Sequence, residues 1–336
     1  MPVIVGSGII GLYTAYILVK RNVGPITIVA QHMPGDYSTF YTSPWAGANF
    51  SFASGDDPRN WEFDRKSYTY FDTLSQELGP EAGIKKYPAY DLWHDFYPNP
   101  DKLAHLQQYV QDYRQVPKDQ LPPNTVYGLK YTTYNLNTVR LLRSLKQYLE
   151  KRGVKFVQTK LGHIDQAFSY PHSDVVFNCT GIGARTLPGV EDQKVYPIRG
   201  QVVLVKTKHP VQSNYSLDHK DDTVTYIIPR AGPEGHTILG GYYQPNNWCG
   251  DTFKHMTESI IERTAQLCPE IKRGEIEIVR ECTGLRPGRE GGVRIELEPR
   301  PKGTLIHNYG AGGCGYQSGY GMALEAVDLV YSKAKL

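Results

Sequence analysis

The feature that most restricts the fold is Gly6-x-Gly8-x-x-Gly11, set between a short apolar run at 2–5 and a helical pattern from Leu12 to about Arg21. Gly24-Pro25 breaks that pattern and a β-branched run at 26–30 follows, so the start reads strand, glycine turn, helix, strand. Each glycine has its own use. The first permits the turn, the second lets the backbone approach a pyrophosphate, and the third lets the helix pack closely on the strand. The helix start then offers free N–H groups and a positive dipole end to the anion. This points to a doubly wound α/β domain with a dinucleotide site. The acidic residue expected to bind the ribose after the second strand is absent, and Ala30-Gln31-His32 stands there instead. Gln31 can still donate and accept, through neutral bonds. That weakens the case for NAD, and no Arg follows to favour NADP.

The chain of 336 residues is about twice the length of one domain. Regular α/β pieces recur well past the first unit. Val139, Leu142, Leu145 and Leu149 fall at helical spacing, Lys151 and Arg152 sit in the last turn, and Gly153 stops the helix. Strands at 154–157 and 174–177 follow, the second running into Asn178-Cys179-Thr180-Gly181. At the end a strand at 304–309 leads through Gly310-Ala311-Gly312-Gly313-Cys314-Gly315 into an amphipathic stretch at 322–334. Between these pieces lies other material. Residues 37–134 are mixed, with one helix expected at 70–78. Short alternating runs at 201–206, 223–228 and 237–241 suit an antiparallel sheet, and a helix near 258–267 closes that section. We therefore expect a Rossmann-type domain from 1–46, 135–195 and 281–336, with an antiparallel α+β domain inserted as 47–134 and 196–280.

Composition removes several classes. The 37 basic and 34 acidic residues leave a charge of only +3, with no electrostatic footprint for nucleic acid. The uncharged run at 3–19 is too short and too broken by Gly, Ser and Thr to span a bilayer, and no basic n-region precedes it. Five cysteines lack CxxC or Cys/His spacing, which argues for reduced intracellular thiols and against a disulfide scaffold or a zinc site. Twenty-five tyrosines suit a chain that lines a ligand cleft, since each supplies apolar area with a polar tip, although many can simply sit at domain surfaces.

Six strings then occur in order: 5–12 around the glycine turn, Tyr41-Thr42-Ser43-Pro44-Trp45-Ala46-Gly47-Ala48-Asn49, Pro197-Ile198-Arg199-Gly200-Gln201, Tyr226-Ile227-Ile228-Pro229-Arg230, Gly284-Leu285-Arg286-Pro287-Gly288-Arg289, and 307–321 through Gly315-Tyr316-Gln317. Together, over nearly the whole chain, they resemble the FAD-dependent D-amino-acid oxidases, in particular their fungal members. The resemblance implies non-covalent FAD. Gly6, Ser7, Gly8, Ile9, Ile10 and Gly11 would cradle its pyrophosphate. Thr42, Ser43, Gly47, Ala48 and Asn49 would wrap the pyrophosphate and flavin edge. Gln31, Leu161, Thr180 and Gly181 would lie towards the adenosine, where Asn178 can equally be a satisfied strand end. Gly310, Gly312, Gly313, Gly315 and Tyr316 would point a helix start at the flavin pyrimidine, where negative charge develops.

The resemblance also assigns the substrate side. Arg286 matches the arginine that clamps the α-carboxylate, a task suited to a planar fork of donors. Tyr226 and Tyr243 match two pocket tyrosines, Tyr242 pointing the opposite way on a strand. Gly313 and Gln317 would lie near the reaction centre, Gln317 holding water or the amino group. Arg286 and Gln317 would also touch the cofactor. No general base is required: the substrate binds as free amine and its α-hydrogen leaves as hydride to the flavin. The imino acid then hydrolyses, and O2 is reduced to H2O2. Leu217 falls where acidic-substrate members place Arg, which favours neutral D-amino acids over D-aspartate, with His219 and Lys220 nearby. D-aspartate oxidase is the alternative within the family. A non-catalytic flavin- or nucleotide-binding protein and a nicotinamide dehydrogenase are the alternatives outside it. Ala334-Lys335-Leu336 resembles a peroxisomal address, so the peroxisome matrix and an import receptor are expected, and a homodimer is left open.

Overall fold

The computed structural model describes residues 1–218, 223–271 and 275–331; His219, Lys220 and Ala334-Lys335-Leu336 lie outside the described residues. Its first sheet has the order β14-β15-β7-β1-β2-β6. It comprises β1 (Pro2–Val5), β2 (Thr27–Ala30), β6 (Lys155–Gln158), β7 (Val175–Asn178), β14 (Arg294–Arg300) and β15 (Gly303–Tyr309). All pairs are parallel except the β14–β15 hairpin at the edge. β1 is buried at all four positions, as an inner parallel strand covered on both faces must be. Helix α1 (Ile9–Lys20) is apolar almost all round because it is sandwiched; Leu12, Tyr16 and Ile17 are fully buried.

The second sheet runs β12-β8-β11-β10-β9-β3-β5-β4, with β13 on the other edge of β8. Its strands are β3 (Ile84–Trp93), β4 (Arg114–Gln115), β5 (Tyr127–Leu136), β8 (Val195–Thr207), β9 (Asn214–Asp218), β10 (Thr223–Pro229), β11 (His236–Tyr242), β12 (Gln244–Pro245) and β13 (Ile276–Arg289). Every pair is antiparallel except β3–β9. One face packs on α5 (Lys254–Leu267), where Val203, Val205, Ile227 and Leu239 meet Ile260. The other face turns inward to the site.

Three expectations shift. β13 pairs with β8 as one ladder from Ile276 to Arg289, so the boundary expected at 281 falls inside a strand of the second sheet. The one expected at 135 falls inside β5. The helix expected at 70–78 is α2 (Pro58–Leu78), capped by the Asp57 carboxylate accepting from Arg59 N. Its first half escapes a periodicity reading because its buried face carries Asp64 and Ser67 beside Phe63 and Phe71. Those polar groups bind α6 (Gly319–Asp328): Ser318 Oγ donates to Asp64 Oδ1 at 2.6 Å, and Gly321 N donates to Ser67 Oγ at 3.1 Å. Tyr70 stacks on Tyr320 with centroids 4.2 Å apart. α2 therefore docks on the helical layer of the first sheet, although it lies in the segment assigned to the inserted domain. Helix α4 (Thr138–Glu150) forms as its spacing predicts, with Leu142, Leu145 and Leu149 buried and Asn137 as its cap. Among the described residues, no helix is long and apolar enough to cross a membrane.

Candidate functional site

Residues from both sheets line one cavity of about 1240 Å³. A site for a single small ligand usually takes ~300–1,000 Å³, so there is room for a dinucleotide and a substrate together. Of the residues proposed from sequence, all but Gly11 and Leu217 line this cavity.

The cradle begins where β1 meets α1. Gly6 has φ +112, and a Cβ there would collide with Cys179 O. A Cβ on Gly11 would collide with Gly6 O, so the third glycine serves helix packing and its absence from the cavity wall is consistent with that role. Gly8, the N-cap of α1, has no side chain to satisfy the first turn, and no acidic residue lies in that turn. Beyond Ile9, the N–H groups of the first turn and the positive helix end thus remain available to phosphate. Ser43 reaches in from the next loop, its Oγ accepting from Ile9 N at 3.0 Å. Tyr41 OH donates to Ser7 O at 2.8 Å, and Ser7 Oγ donates to His32 O. At the far end Gln31, Leu161, Thr180 and Gly181 line the wall. Thr180 Oγ1 donates to Asn178 Oδ1 at 2.7 Å, and Asn178 in turn contacts His307 Nδ1 at 3.2 Å. Asn178 is thus the satisfied strand end.

The 42–49 loop is fixed from three sides. Thr42 Oγ1 donates to Leu285 O at 2.6 Å, Tyr316 OH donates to Ser43 O at 3.0 Å, and Asn49 bridges Asn135. Arg230 holds its centre, donating from Nε to Gly47 O and from Nη2 to Ala46 O, each at 3.1 Å. Sequence reasoning assigned Arg230 no role, although it ends one of the quoted strings. Burial lowers its pKa, and its loop carbonyls replace a carboxylate as partners.

On the substrate side, Arg286 Nη1 donates to Tyr242 O at 3.0 Å, and Nη2 lies 3.5 Å from Tyr226 OH. Glycines make this room: a Cβ on Gly200 would collide with the Arg286 guanidinium, and one on Gly240 with the Tyr226 ring. The Gly240-Gly241 pair inside a strand was the available signal for that close approach. Gly313 packs beneath, its Cβ position 3.5 Å from Arg286 Cδ. Tyr243, just past β11, is half exposed at the cavity edge, while Tyr242 turns to the α5 side under Arg263.

Three assignments change. Gln317 was expected to hold water or the amino group. Its amide is committed to the protein: Nε2 donates to Ser51 O at 3.1 Å and Asp64 Oδ2 at 3.0 Å, while Oε1 accepts from Ser51 N at 3.3 Å. It ties the wall together. The 310–315 turn was expected to point a helix start at the flavin. A three-residue 3-10 turn, Gly312–Cys314, comes first and α6 starts only at Gly319. Leu217 is the third. It pairs with Thr225 in β10, out of phase with Tyr226, which pairs with Ser216. Ser216 and Asp218, on the face they share with Tyr226, line the cavity; Tyr215 also reaches it, and Leu217 does not.

Beneath the 51–54 segment lies a buried charge cluster that no motif announced. Lys102 Nζ donates to Phe52 O at 2.6 Å. Asp91 Oδ2 accepts from Phe52 N at 3.0 Å and from Tyr131 OH at 2.8 Å. Burial pushes Asp64 up to about 6 and Asp91 up to about 7, against the opposing pull of their hydrogen bonds and of Lys102.

A turn that admits pyrophosphate, a second glycine turn facing it and a fixed arginine beyond define a flavin-dinucleotide oxidoreductase. The chain matches the FAD dependent oxidoreductase family model over residues 3–329 and belongs to that family. It is 43% identical to a D-amino-acid oxidase of Schizosaccharomyces pombe, over 99% of this chain and 97% of the relative. It is 30% identical to a D-aspartate oxidase of Talaromyces thermophilus, over 98% and 94%. A glycine oxidase from Bacillus cereus shares the fold, with a TM-score of 0.79 at 19% identity over 99% of this chain and 95% of that one.

Proposed function

We propose that this enzyme oxidatively deaminates D-amino acids, neutral ones included. The observation that carries the reading is Arg286: a planar cation with Tyr226 beside it, on the same cavity wall as the dinucleotide cradle. The residues fit FAD, because Gly6 makes a turn at φ +112 that a Cβ would block against Cys179 O, and the first turn of α1 behind it carries no acidic residue to offset its positive end. Held by this cradle, FAD would supply a two-electron acceptor for the substrate's α-hydrogen, with O2 as the final oxidant. The rest is alignment by this chain. Arg286 takes the α-carboxylate through two parallel N–H bonds, and Tyr226 adds its hydroxyl. Tyr243 covers the pocket mouth. The Thr42–Leu285 bond couples the cofactor loop to the strand that carries Arg286, so the reacting groups are held at a fixed separation. No side chain on the cavity wall is needed as a general base if the substrate enters as free amine. The products are the 2-oxo acid, ammonia and H2O2.

Oxidation of D-aspartate is disfavoured by Asp218, a carboxylate on the same wall. A panel of D-amino acids and their L-enantiomers with peroxide readout tests the reading; no peroxide from any D-amino acid with a fully flavinated protein would sink it. Delivery to the peroxisome matrix belongs to the same proposal. It is supported by the match of Ala334-Lys335-Leu336 to the import signal and by a product that catalase removes. A fluorescent fusion ending in this tripeptide, compared with one lacking it, checks that part.

A further inference from the structure

With Leu217 turned away, the question is what meets the substrate side chain. The register answers it. Ser216 lies opposite Tyr226, and Asp218 lies opposite Val224, one two-residue repeat along the same face. Tyr226, Val224, Ser216 and Asp218 all line the cavity. We propose that Asp218 selects the substrate side chain, and that the site takes basic D-amino acids whose terminal cation pairs with its carboxylate while Arg286 holds the α-carboxylate. The inference rests on the D-amino-acid oxidase reading above and extends its substrate class.

Four observations converge. Among the described residues, Asp218 is the only carboxylate on the cavity wall. It is half-buried and has no hydrogen-bond or ion-pair partner among them, so burial pushes its pKa up. Among the described residues, the cation that acts on Asp218 is Lys102, which is bound to Phe52 O and shared with Asp64 and Asp91. The other basic groups on the wall are engaged or distant: Arg289 is paired with Asp192 at 2.8 Å, and His32 and Lys160 lie at the ends of β2 and β6. A partly desolvated carboxylate without a partner is costly, and a ligand cation removes that cost. Spacing agrees as well. One strand repeat is about 7 Å, close to the reach of a four-carbon ammonium stem.

The test compares kcat/KM for D-lysine, D-norleucine and D-glutamate in the holoenzyme. D-norleucine matches D-lysine without the ammonium, so it isolates the charge. We expect the native enzyme to favour D-lysine over D-norleucine and to reject D-glutamate. Asp218→Asn should lower the D-lysine to D-norleucine ratio by ~10–100-fold, the cost of removing one partner of a partly buried pair. Asp218→Lys should move the preference toward D-glutamate. A native enzyme that favours D-norleucine, or an Asp218→Asn variant with an unchanged ratio, overturns the proposal while leaving the broader reading intact. Peroxide from none of the three, nor from any other D-amino acid, would instead overturn the broader reading.

Discussion

Arg286 is placed by its neighbours' lack of side chains. Gly200 clears the space and the Tyr242 carbonyl holds one nitrogen, so the remaining donors point where a carboxylate would sit. Arg286→Ala should lower kcat/KM for D-amino acids by roughly 30- to 5000-fold, the usual 2–5 kcal/mol for an unpaired buried charge. Arg286→Lys keeps the charge without the fork and should recover only part of this. A D-amino acid carboxamide should be a poor substrate and nearly insensitive to either change. Equal loss on acid and amide, with flavin retained, would remove the clamp role. Asp64 gives a different prediction. Its folded pKa of about 6 stands above the usual 3.8, so the folded state holds the proton more tightly. The protein therefore loses stability as pH rises through that interval, by up to about 3 kcal/mol from this group. Asp64→Asn cannot ionise, so its stability relative to the native protein should rise between about pH 4 and pH 6 and then level off. Urea unfolding across that range measures it; a difference that does not change with pH would show that Asp64 is not the titrating group.

Among the elements, the β1–α1 turn and the 42–49 loop line the cavity proposed for the cofactor. Gly11→Ala drives a methyl into Gly6 O and should abolish flavin binding. Gly8→Ala meets Ser43 Oγ at 3.1 Å and the Tyr41 ring at 3.9 Å, with no backbone clash, and should lower flavin content without eliminating it. Arg230→Ala frees the Ala46 and Gly47 carbonyls and should also deplete flavin, read from the ratio of flavin to protein absorbance. If these variants retain full flavin, the loops do not hold it. The same elements show what a sequence can reveal. The glycine turn, α4, five of the six strands of the first sheet and three of the nine strands of the second (β8, β10 and β11) were legible because burial there imposes an apolar period of 2 or 3.6; β3, β5 and β13 were not. The first half of α2 was not, since Asp64 and Ser67 serve on its buried face as partners for α6. Neither was the orientation of Leu217. A one-residue change of phase exchanges the two faces of a strand, and no residue within β9 reveals that phase; only its pairing with Tyr226 does.

At the scale of the whole molecule, the cavity is walled by two sheets, so the cofactor is a structural bridge as well as a reagent. Free FAD added to the apoprotein should raise Tm with concentration, by the equivalent of about 2.7 kcal/mol at one hundred times Kd, whereas NAD should not. The protein should be yellow, and denaturation should release its flavin. Colour that stays with the precipitated chain would point to covalent attachment, with Cys314, on the cavity wall, the first residue to examine.

The second sheet also separates two tasks. The proposed cofactor cradle is built mainly from turns and loops, whereas the wall proposed for the substrate side chain is one face of β9 and β10, at Ser216, Asp218 and Val224. Substitutions at these positions alter the far end of the pocket without touching the cradle or Arg286. Descendants of one ancestor could therefore change diet a single residue at a time while inheriting the same redox engine. Mutational drift at positions 216, 218 and 224 is where such divergence should be sought first.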